Sequence, residues 1–226
     1  MITTVIFDLD DTLYDEIEYC KSGFRTVADF LACSSTVRAP DIFNTLWNQF
    51  TAGNRKNTFN KTLDEIWIDY DDNLIQELIN VYRNHAPEII LPADSRKILN
   101  ELSKKYTLAL VTDGFLPAQQ LKVQALGIEK YFQYIIYTEQ LGREFWKPSP
   151  VGFEKIMQIC NANSENIACV ADNEKKDFIA PNRLGFKTIQ IIRPARIHTS
   201  INRQSKAAAQ YIIHQISELP ELLESF

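Results

Sequence analysis

The stretch Thr3-Thr4-Val5-Ile6-Phe7-Asp8-Leu9-Asp10-Asp11-Thr12-Leu13 is a short apolar run that ends in carboxylates and a hydroxyl. A run of β-branched and aromatic residues this short is typical of a fully buried strand, and such strands belong mostly to parallel sheets covered on both faces. The carboxylates then follow the strand at its carboxyl end, which is the edge where open α/β sheets bind ligands. Asp8 and Asp10 are two residues apart, so both side chains project to the same side if the backbone is still extended there.

The same residues have a second interpretation that involves no chemistry. Asp and Thr side chains often bond to nearby backbone N–H groups, so this motif could be a turn followed by a helix cap. Asp11 in particular fits a turn, because Asp is favoured where a strand gives way to a tight turn. The stretch alone does not distinguish the two interpretations, and the rest of the chain has to decide between them.

Composition sets the class of protein. The chain has 226 residues, of which 45% are hydrophobic, enough for one large core or for one core with a smaller satellite domain. A net charge of −5 provides no basic field for nucleic acid or an anionic membrane surface. The four cysteines form no C-x-x-C pair, which indicates reduced thiols. With no leader-like segment and no apolar run of membrane-spanning length, we expect a cytoplasmic protein with no nucleic-acid or membrane partner.

The pattern of apolar residues changes twice along the chain. Apolar residues recur at helical spacing in four segments, at positions 16–33, 41–50, 63–70 and 74–85. Beyond residue 90, amphipathic helices alternate with short buried strands, at positions 108–112, 134–137, 167–171, 188–192 and 211–213. This alternation predicts an α/β fold, a doubly wound parallel sheet. We therefore expect a core built from residues 1–14 and 90–226, with an inserted α-helical cap formed by residues 15–89.

Polar residues follow several of the predicted strands. They are Asp8 and Asp10 where the first strand ends, Thr112 and Asp113 where the second ends, and Asp172 with Asp177 where the fourth ends, with Lys147 in a loop before a helix. The carboxyl ends of parallel strands meet along one edge of a sheet. We therefore expect these side chains to converge there.

This set of side chains matches the demands of phosphomonoester hydrolysis. One carboxylate can attack phosphorus and form an aspartyl-phosphate, while a second protonates the leaving oxygen and then activates water. Clustered carboxylates repel one another and an anionic substrate, so a hard divalent cation is needed, and Mg²⁺ suits an all-oxygen site. A lysine and a hydroxyl then offset the charge on the transferring phosphoryl oxygens.

At these residues the chain resembles the haloacid dehalogenase-like hydrolase superfamily, in its phosphatase branch with a small helical cap. The resemblance rests on Asp8-Leu9-Asp10-Asp11-Thr12-Leu13, Val111-Thr112-Asp113-Gly114, Lys147-Pro148 and Ala171-Asp172-Asn173 through Asp177, in the superfamily's order. It covers nearly the whole chain and implies a Rossmann-like core. The sequence departs from the usual pattern in having Asp113 in place of Asn, Ala171 in place of Gly, and a longer approach to Lys147 at positions 142–146.

The resemblance also implies a role for each residue of the set. Asp8 is the expected nucleophile and Asp10 the expected general acid/base, while Asp8, the backbone carbonyl of Asp10 and Asp172 are expected to hold Mg²⁺. Thr112, Asp113 and the catalytic Lys147 are expected to bind the phosphate, and Asp177 is expected to orient Lys147 or a metal-bound water.

The sequence thus predicts a Mg²⁺-dependent phosphomonoester hydrolase that acts on a small phosphorylated metabolite, a sugar phosphate or a nucleotide, through an aspartyl-phosphate. Two alternatives stay open at this point. One is a phosphomutase of the β-phosphoglucomutase type, and the other is a non-catalytic phosphate-binding protein on the same fold, because fold alone does not fix function. A carbon–halogen hydrolase is less favoured, because Asp10 has no role in that reaction. The identity of the substrate and the oligomeric state are left open.

Overall fold

The computed structural model describes residues 1–197 and 206–226. The chain divides into two compact units, which we call the sheet unit (Met1–Ile17 and Ile90–Phe226) and the helical unit (Glu18–Ile89). That the first carries the chemistry and the second acts as its cap stays a prediction. Across the described residues, no helix combines the length and apolarity that crossing a membrane requires.

The sheet unit is built on parallel strands. Within the described residues these are β1 (Thr4–Phe7), β2 (Thr107–Thr112), β3 (Tyr134–Tyr137), β4 (Ile167–Ala171), β5 (Lys187–Ile191) and β6 (Tyr211–Ile213). Their order is β3-β2-β1-β4-β5-β6, and every neighbouring pair is parallel. The chain therefore builds outward from β1 on one side and then crosses to β4 on the other. The carboxyl ends of β1, β2 and β4 lie side by side at this reversal of strand order, where doubly wound sheets bind ligands.

The helices follow the predicted alternation. In chain order they are α1 (Glu16–Ala32), α2 (Ala39–Thr51), α3 (Thr58–Glu65), α4 (Asp72–Asn84), α5 (Ala93–Leu102), α6 (Ala118–Leu126), α7 (Val151–Ile159), α8 (Ile179–Leu184) and α9 (Leu219–Glu224). Short 3₁₀ turns lie at Glu129–Tyr131, Thr138–Leu141, Arg143–Phe145, Ser164–Asn166 and Ile216–Glu218. Gly127 ends α6 with φ 61°, a left-handed conformation in which glycine carries no steric penalty.

Burial on both faces explains why the central strands β1, β2 and β4 are almost continuously apolar. Ile6 of β1 packs in one core cluster with Phe153 and Ile156 of α7. Its neighbours Val5 and Phe7 point to the opposite face and are also fully buried. A strand covered on both faces has no reason to alternate apolar and polar residues. The predicted doubly wound parallel sheet is confirmed.

The helical unit has its own apolar interior. Leu46, Leu63 and Leu78, from α2, α3 and α4, are fully buried there. The predicted helix at 63–70 was wrong in its bounds, because α3 ends at Glu65. Trp67 adopts φ 57°, which an α-helix does not tolerate, and its side chain is 92% exposed.

Candidate active site

Asp8, Lys147 and Asp177 form a buried chain of charges at the carboxyl edge of the sheet. The Lys147 ammonium donates to Asp8 Oδ1 at 2.5 Å and pairs with Asp177 Oδ1 at 2.7 Å. The other oxygen of Asp177 accepts from the backbone N–H of Asn173 at 3.0 Å. Burial lowers the pKa of Lys147, but the carboxylates of Asp177 and Asp8 outweigh it and hold that pKa well above its ordinary value. Lys147 is therefore a fixed positive charge beside Asp8.

Asp172 completes a cluster of three carboxylates, of which Lys147 pairs with the other two, Asp8 and Asp177. Oxygens of Asp8, Asp172 and Asp177 lie within 4.8 Å of one another. Within the described part of the chain, the buried Asp172 Oδ2 has no hydrogen-bond partner. Burial, together with repulsion from Asp177 and Asp8, raises the pKa of Asp172 to about 9. Burial also raises the pKa of Asp8 to about 6, although Lys147 lowers it.

These carboxylates fit a hard divalent cation. Mg²⁺ prefers oxygen ligands and is usually held by one or two carboxylates together with waters. Both oxygens of Asp177 are already engaged, by Lys147 and by the Asn173 backbone, so Asp8 and Asp172 are the carboxylates left to hold an ion. The orphaned oxygen of Asp172 is the structural observation that supports this fit.

Thr112 is the last residue of β2, Asp113 follows it, and both lie at the same edge. Asp113 Oδ1 accepts hydrogen bonds from the Thr138 hydroxyl at 2.8 Å and from the Lys147 backbone N–H at 3.1 Å. One oxygen of Asp113 thus anchors the loop that carries Lys147. The buried Thr112 hydroxyl accepts from Gln119 Nε2 at 2.7 Å and so keeps its own proton to donate.

Asp10 is surrounded by hydrogen-bond donors that the sequence analysis did not identify. Its Oδ1 accepts from the Tyr14 hydroxyl at 2.5 Å and from Lys122 Nζ at 2.8 Å. Its Oδ2 accepts from Gln119 Nε2 at 2.9 Å and from Lys122 Nζ at 3.0 Å. Burial raises the pKa of Asp10, but the Lys122 ammonium and these hydrogen bonds outweigh it and hold that pKa below its ordinary value.

Lys176 lines a small cavity at the carboxyl edge of the sheet, together with several of these carboxylates. The cavity is lined by Asp8, Asp10, Asp11, Glu16, Asp113, Asp172, Asn173 and Lys176. Lys176 Nζ lies 3.6 Å from Asp113 Oδ2, the oxygen that does not anchor the loop. Burial, followed by repulsion from Asp10, raises the pKa of Glu16 to about 7. Lys176 is the lysine that lines this carboxylate-rich cavity, whereas Lys147 is buried behind Asp8.

Asp11 has the structural role favoured for it from sequence. It adopts φ 54° in the turn after β1, and its two oxygens accept from the backbone N–H groups of Glu16 and Ile197 at 2.9 and 2.6 Å. Asp11 therefore caps the start of α1 and ties it to the segment after β5.

The structure brings all the residues expected from sequence to one edge of the sheet. One group consists of Asp8, Lys147, Asp177 and Asp172. Gln119 joins Asp10 to Thr112, and Asp113 is joined to the first group by its hydrogen bond from the Lys147 backbone N–H. The partners missed from sequence are Tyr14, Glu16, Gln119, Lys122 and Lys176. Gln119 and Lys122 are three residues apart on α6 and so share a face, but a polar face of a helix normally indicates solvent.

The chain is similar to a known protein family and to several known proteins. The sequence model of the haloacid dehalogenase-like hydrolase family matches residues 5–191. The chain is 25% identical to the glyceraldehyde 3-phosphate phosphatase of Pyrococcus furiosus, over 99% of this chain and 93% of that protein. The YfnB protein of Bacillus subtilis, solved bound to magnesium, superposes with a TM-score of 0.73 at 20% identity, covering 98% of each chain. A 2-haloacid dehalogenase from Pseudomonas syringae has a TM-score of 0.68 at 22% identity, covering 100% of this chain and 99% of that one.

Proposed function

The chain belongs to the haloacid dehalogenase-like hydrolase family, and from that premise we propose that it is a Mg²⁺-dependent phosphatase acting on a small phosphorylated metabolite. The observation that carries the proposal is the group of Asp8, Lys147 and Asp172, in which a carboxylate, a fixed cation and an unpaired carboxylate lie together. The Pyrococcus relative supports the same class of reaction, since it is named a phosphatase.

Asp8 is the proposed nucleophile. Lys147 holds one of its oxygens, which leaves the other to attack phosphorus and form an aspartyl-phosphate as the P–O bond to the alcohol breaks. The charge that develops on the phosphoryl oxygens is offset by Lys147 and by the Thr112 hydroxyl. Asp177 acts through Lys147, because its Oδ1 lies 2.7 Å from the ammonium that also contacts Asp8.

Asp8 and Asp172, with the backbone carbonyl of Asp10, are the proposed holders of Mg²⁺. When bound, the ion supplies positive charge that offsets the repulsion between these carboxylates and a phosphate dianion. Asp172 is well suited to this role because its orphaned oxygen is the one that a cation would satisfy.

Asp10 is the proposed general acid/base. With substrate bound, repulsion from the phosphate dianion favours the protonated form of Asp10 over the ionised form that its donors hold in the free protein. That proton passes to the departing alkoxide, and the carboxylate then takes a proton from the water that attacks the aspartyl-phosphate. Inorganic phosphate leaves and Asp8 is regenerated as a carboxylate. The side chain is well placed for this work, since Asp10 lines the same cavity as Asp8.

The proposed substrate is a short-chain phosphate monoester. The support is the activity named for the Pyrococcus relative, whose substrate is glyceraldehyde 3-phosphate. Sugar phosphates and nucleotides are the next compounds to test.

The test is an assay of the purified protein with Mg²⁺ against glyceraldehyde 3-phosphate, sugar phosphates and nucleotides. We expect inorganic phosphate to appear in step with the alcohol, and Asp8→Asn to abolish turnover with the fold intact, because an amide of the same size is not an effective nucleophile. An isomeric sugar phosphate as the main product would establish a mutase instead. Binding of phosphate without turnover of any substrate would overturn the enzyme proposal.

A further inference from the structure

We propose that Lys122 and Gln119 of α6 are positioning residues that fix the carboxylate of Asp10 relative to the phosphate-binding hydroxyl of Thr112. This inference rests on the proposed phosphatase function, and it makes α6 one of the elements that position the catalytic groups. It assigns a role to side chains that lie outside the four motifs from which the function was argued.

The contacts around Asp10 leave its carboxylate little freedom to rotate. Lys122 Nζ lies 2.8 Å from one oxygen and 3.0 Å from the other, so it bridges both. The Tyr14 hydroxyl adds a second donor to Oδ1, and Gln119 Nε2 adds a second donor to Oδ2. Each oxygen therefore has a charged donor and a neutral donor, and rotation about the side chain would break all four contacts.

Gln119 links this carboxylate to the phosphate-binding edge. Its Nε2 donates to Asp10 Oδ2 at 2.9 Å and to Thr112 Oγ1 at 2.7 Å. One amide group thus sets the spacing between the residue expected to act on the leaving oxygen and the residue expected to hold the phosphoryl group. Such spacing matters because a misplacement of about 1 Å can lower a rate by roughly a hundredfold.

The backbone leaves room for this arrangement. Gly114, two residues after Thr112, has φ 145°, and a Cβ atom there would come within 2.7 Å of Gln119 Cδ. A side chain at position 114 would push Gln119 away from Thr112 and Asp10. Gly114 therefore makes room for Gln119 in addition to forming the turn after β2.

Burial argues that Lys122 and Gln119 are present for more than packing. Lys122 is 4% exposed and Gln119 is 2% exposed, although lysine is rarely buried without a partner. Val123 and Leu126 of the same helix fill their buried positions with apolar side chains. Apolar residues could have packed α6 against the sheet, whereas only donors can hold a carboxylate.

The role predicts an effect that depends on the leaving group. An alkoxide needs a proton in order to depart, whereas an aryl oxide departs without much help. If Lys122 acts through Asp10, its removal should slow an alkyl phosphate far more than an aryl phosphate. A general weakening of the fold would slow both alike.

The experiment compares Lys122→Met and Lys122→Arg with the wild type, using glycerol 3-phosphate and p-nitrophenyl phosphate. For Lys122→Met we expect kcat with the alkyl phosphate to fall by roughly a hundredfold, with a loss for the aryl phosphate at least tenfold smaller. Lys122→Arg should recover part of the alkyl rate, because it restores a charged donor. Lys105→Met is the matched control, since Lys105 is a half-exposed surface lysine paired with Glu224, and it should leave both rates unchanged.

The same substitutions in an Asp10→Asn background complete the test. Lys122→Met should not lower kcat with the alkyl phosphate any further once Asp10 is replaced, because the two residues act as one unit. Should Lys122→Met fail to fold, Gln119→Met provides the same comparison without leaving a carboxylate facing a lost charge. Equal losses for both substrates, or additive losses with Asp10→Asn, would overturn the inference alone. A wild type with no activity on any phosphate would overturn the proposed function and this inference with it.

Discussion

Asp113 divides its two carboxylate oxygens between different tasks. Oδ1 holds the Lys147 loop through two hydrogen bonds, and Oδ2 faces Lys176 at 3.6 Å. An Asn at this position would keep the first task and lose the second. The acidic residue therefore gives Lys176 an electrostatic partner inside a cavity that is otherwise lined mainly by carboxylates.

Lys176→Met should weaken substrate binding more than turnover. If the substrate phosphate enters this cavity, as proposed, it meets Lys176, and a hydrogen bond to a charged group contributes about 1.5–3 kcal/mol. We expect KM for phosphate esters to rise by roughly tenfold, since about 1.4 kcal/mol corresponds to a factor of ten. Steady-state kinetics and inhibition by inorganic phosphate measure the effect. Lys175→Met, at the exposed neighbouring lysine, is the control, and an unchanged KM for Lys176→Met would contradict the expectation.

Asp172→Ala should act chiefly on the metal. The substitution removes the carboxylate whose oxygen is unpaired among the described residues, so Mg²⁺ loses one of few protein ligands. We expect the Mg²⁺ concentration for half-maximal activity to rise by roughly tenfold or more, with activity partly restored at high Mg²⁺. Calorimetric titration with Mg²⁺ provides a readout that does not depend on turnover. Asp69→Ala, at an exposed aspartate, should change neither quantity, and an unaltered metal dependence in Asp172→Ala would remove that residue from the metal site.

At the scale of elements, the loop before Lys147 shows what the sequence could and could not predict. Its extra length is visible in the sequence, but its shape depends on contacts between residues far apart in the chain. Trp146 packs edge to face on Phe115 at 5.4 Å and donates from its indole N–H to Glu139 at 3.0 Å. Arg143 lies over the Phe115 ring at 4.5 Å. No local pattern indicates these pairings.

Strands, by contrast, were predictable nearly to the residue. The predicted spans 134–137, 167–171 and 211–213 match β3, β4 and β6. Burial on both faces leaves a continuous apolar run in β4, and the edge strands β3 and β6 keep short apolar runs although they are only partly buried. Pro181 lies in the first turn of α8, which begins at Ile179, and proline is tolerated there because it removes no intrahelical hydrogen bond. The donors around Asp10 were not predictable, because their direction is set by how α6 packs on the sheet.

Trp146→Ala should therefore lower activity through the placement of Lys147. The loop loses its packing on Phe115 and its hydrogen bond to Glu139, so the ammonium beside Asp8 is held less firmly. We expect kcat to fall by roughly tenfold and the thermal midpoint to drop by a few degrees, both measurable on one preparation. Trp67→Ala is the matched control, because Trp67 is 92% exposed in the helical unit. If both variants lose activity equally, the loop packing does not position Lys147.

For the whole molecule, the carboxylates of the sheet edge make stability depend on pH. Burial raises the pKa of Asp172 to about 9, that of Glu16 to about 7 and that of Asp8 to about 6. The metal-free folded protein therefore binds more protons than the unfolded chain from about pH 4 to about pH 9, and its unfolding free energy decreases as pH rises through that window. Asp10 and Asp177, whose pKa values are lowered, are ionised in both states above about pH 5 and contribute nothing to the slope there.

Thermal unfolding in the presence of a chelator should show this directly. We expect the thermal midpoint to decrease as the pH rises from 5.5 to 8.5, because the protons that neutralise the carboxylate cluster are lost. Saturating Mg²⁺ should flatten the dependence and raise the midpoint most at the alkaline end, since the cation then replaces the protons. A midpoint that rises with pH in the chelator would contradict the assignment of raised pKa values to this cluster.

The central position of β1 has a consequence for how the chain is made. Val5 pairs with Leu108 on one side and with Ala168 on the other, so the middle strand is synthesised first and its two neighbours much later. Until β2 and β4 emerge from the ribosome, β1 has no partner, and closing such long loops before any pairing is gained slows folding. The helical unit is one continuous segment of the chain, so its helices do not require the later synthesis of distant partners. During translation, the nascent protein therefore exposes an unpaired apolar strand. We expect the chain to be most prone to aggregation and to chaperone binding in the interval before β2 and β4 have emerged.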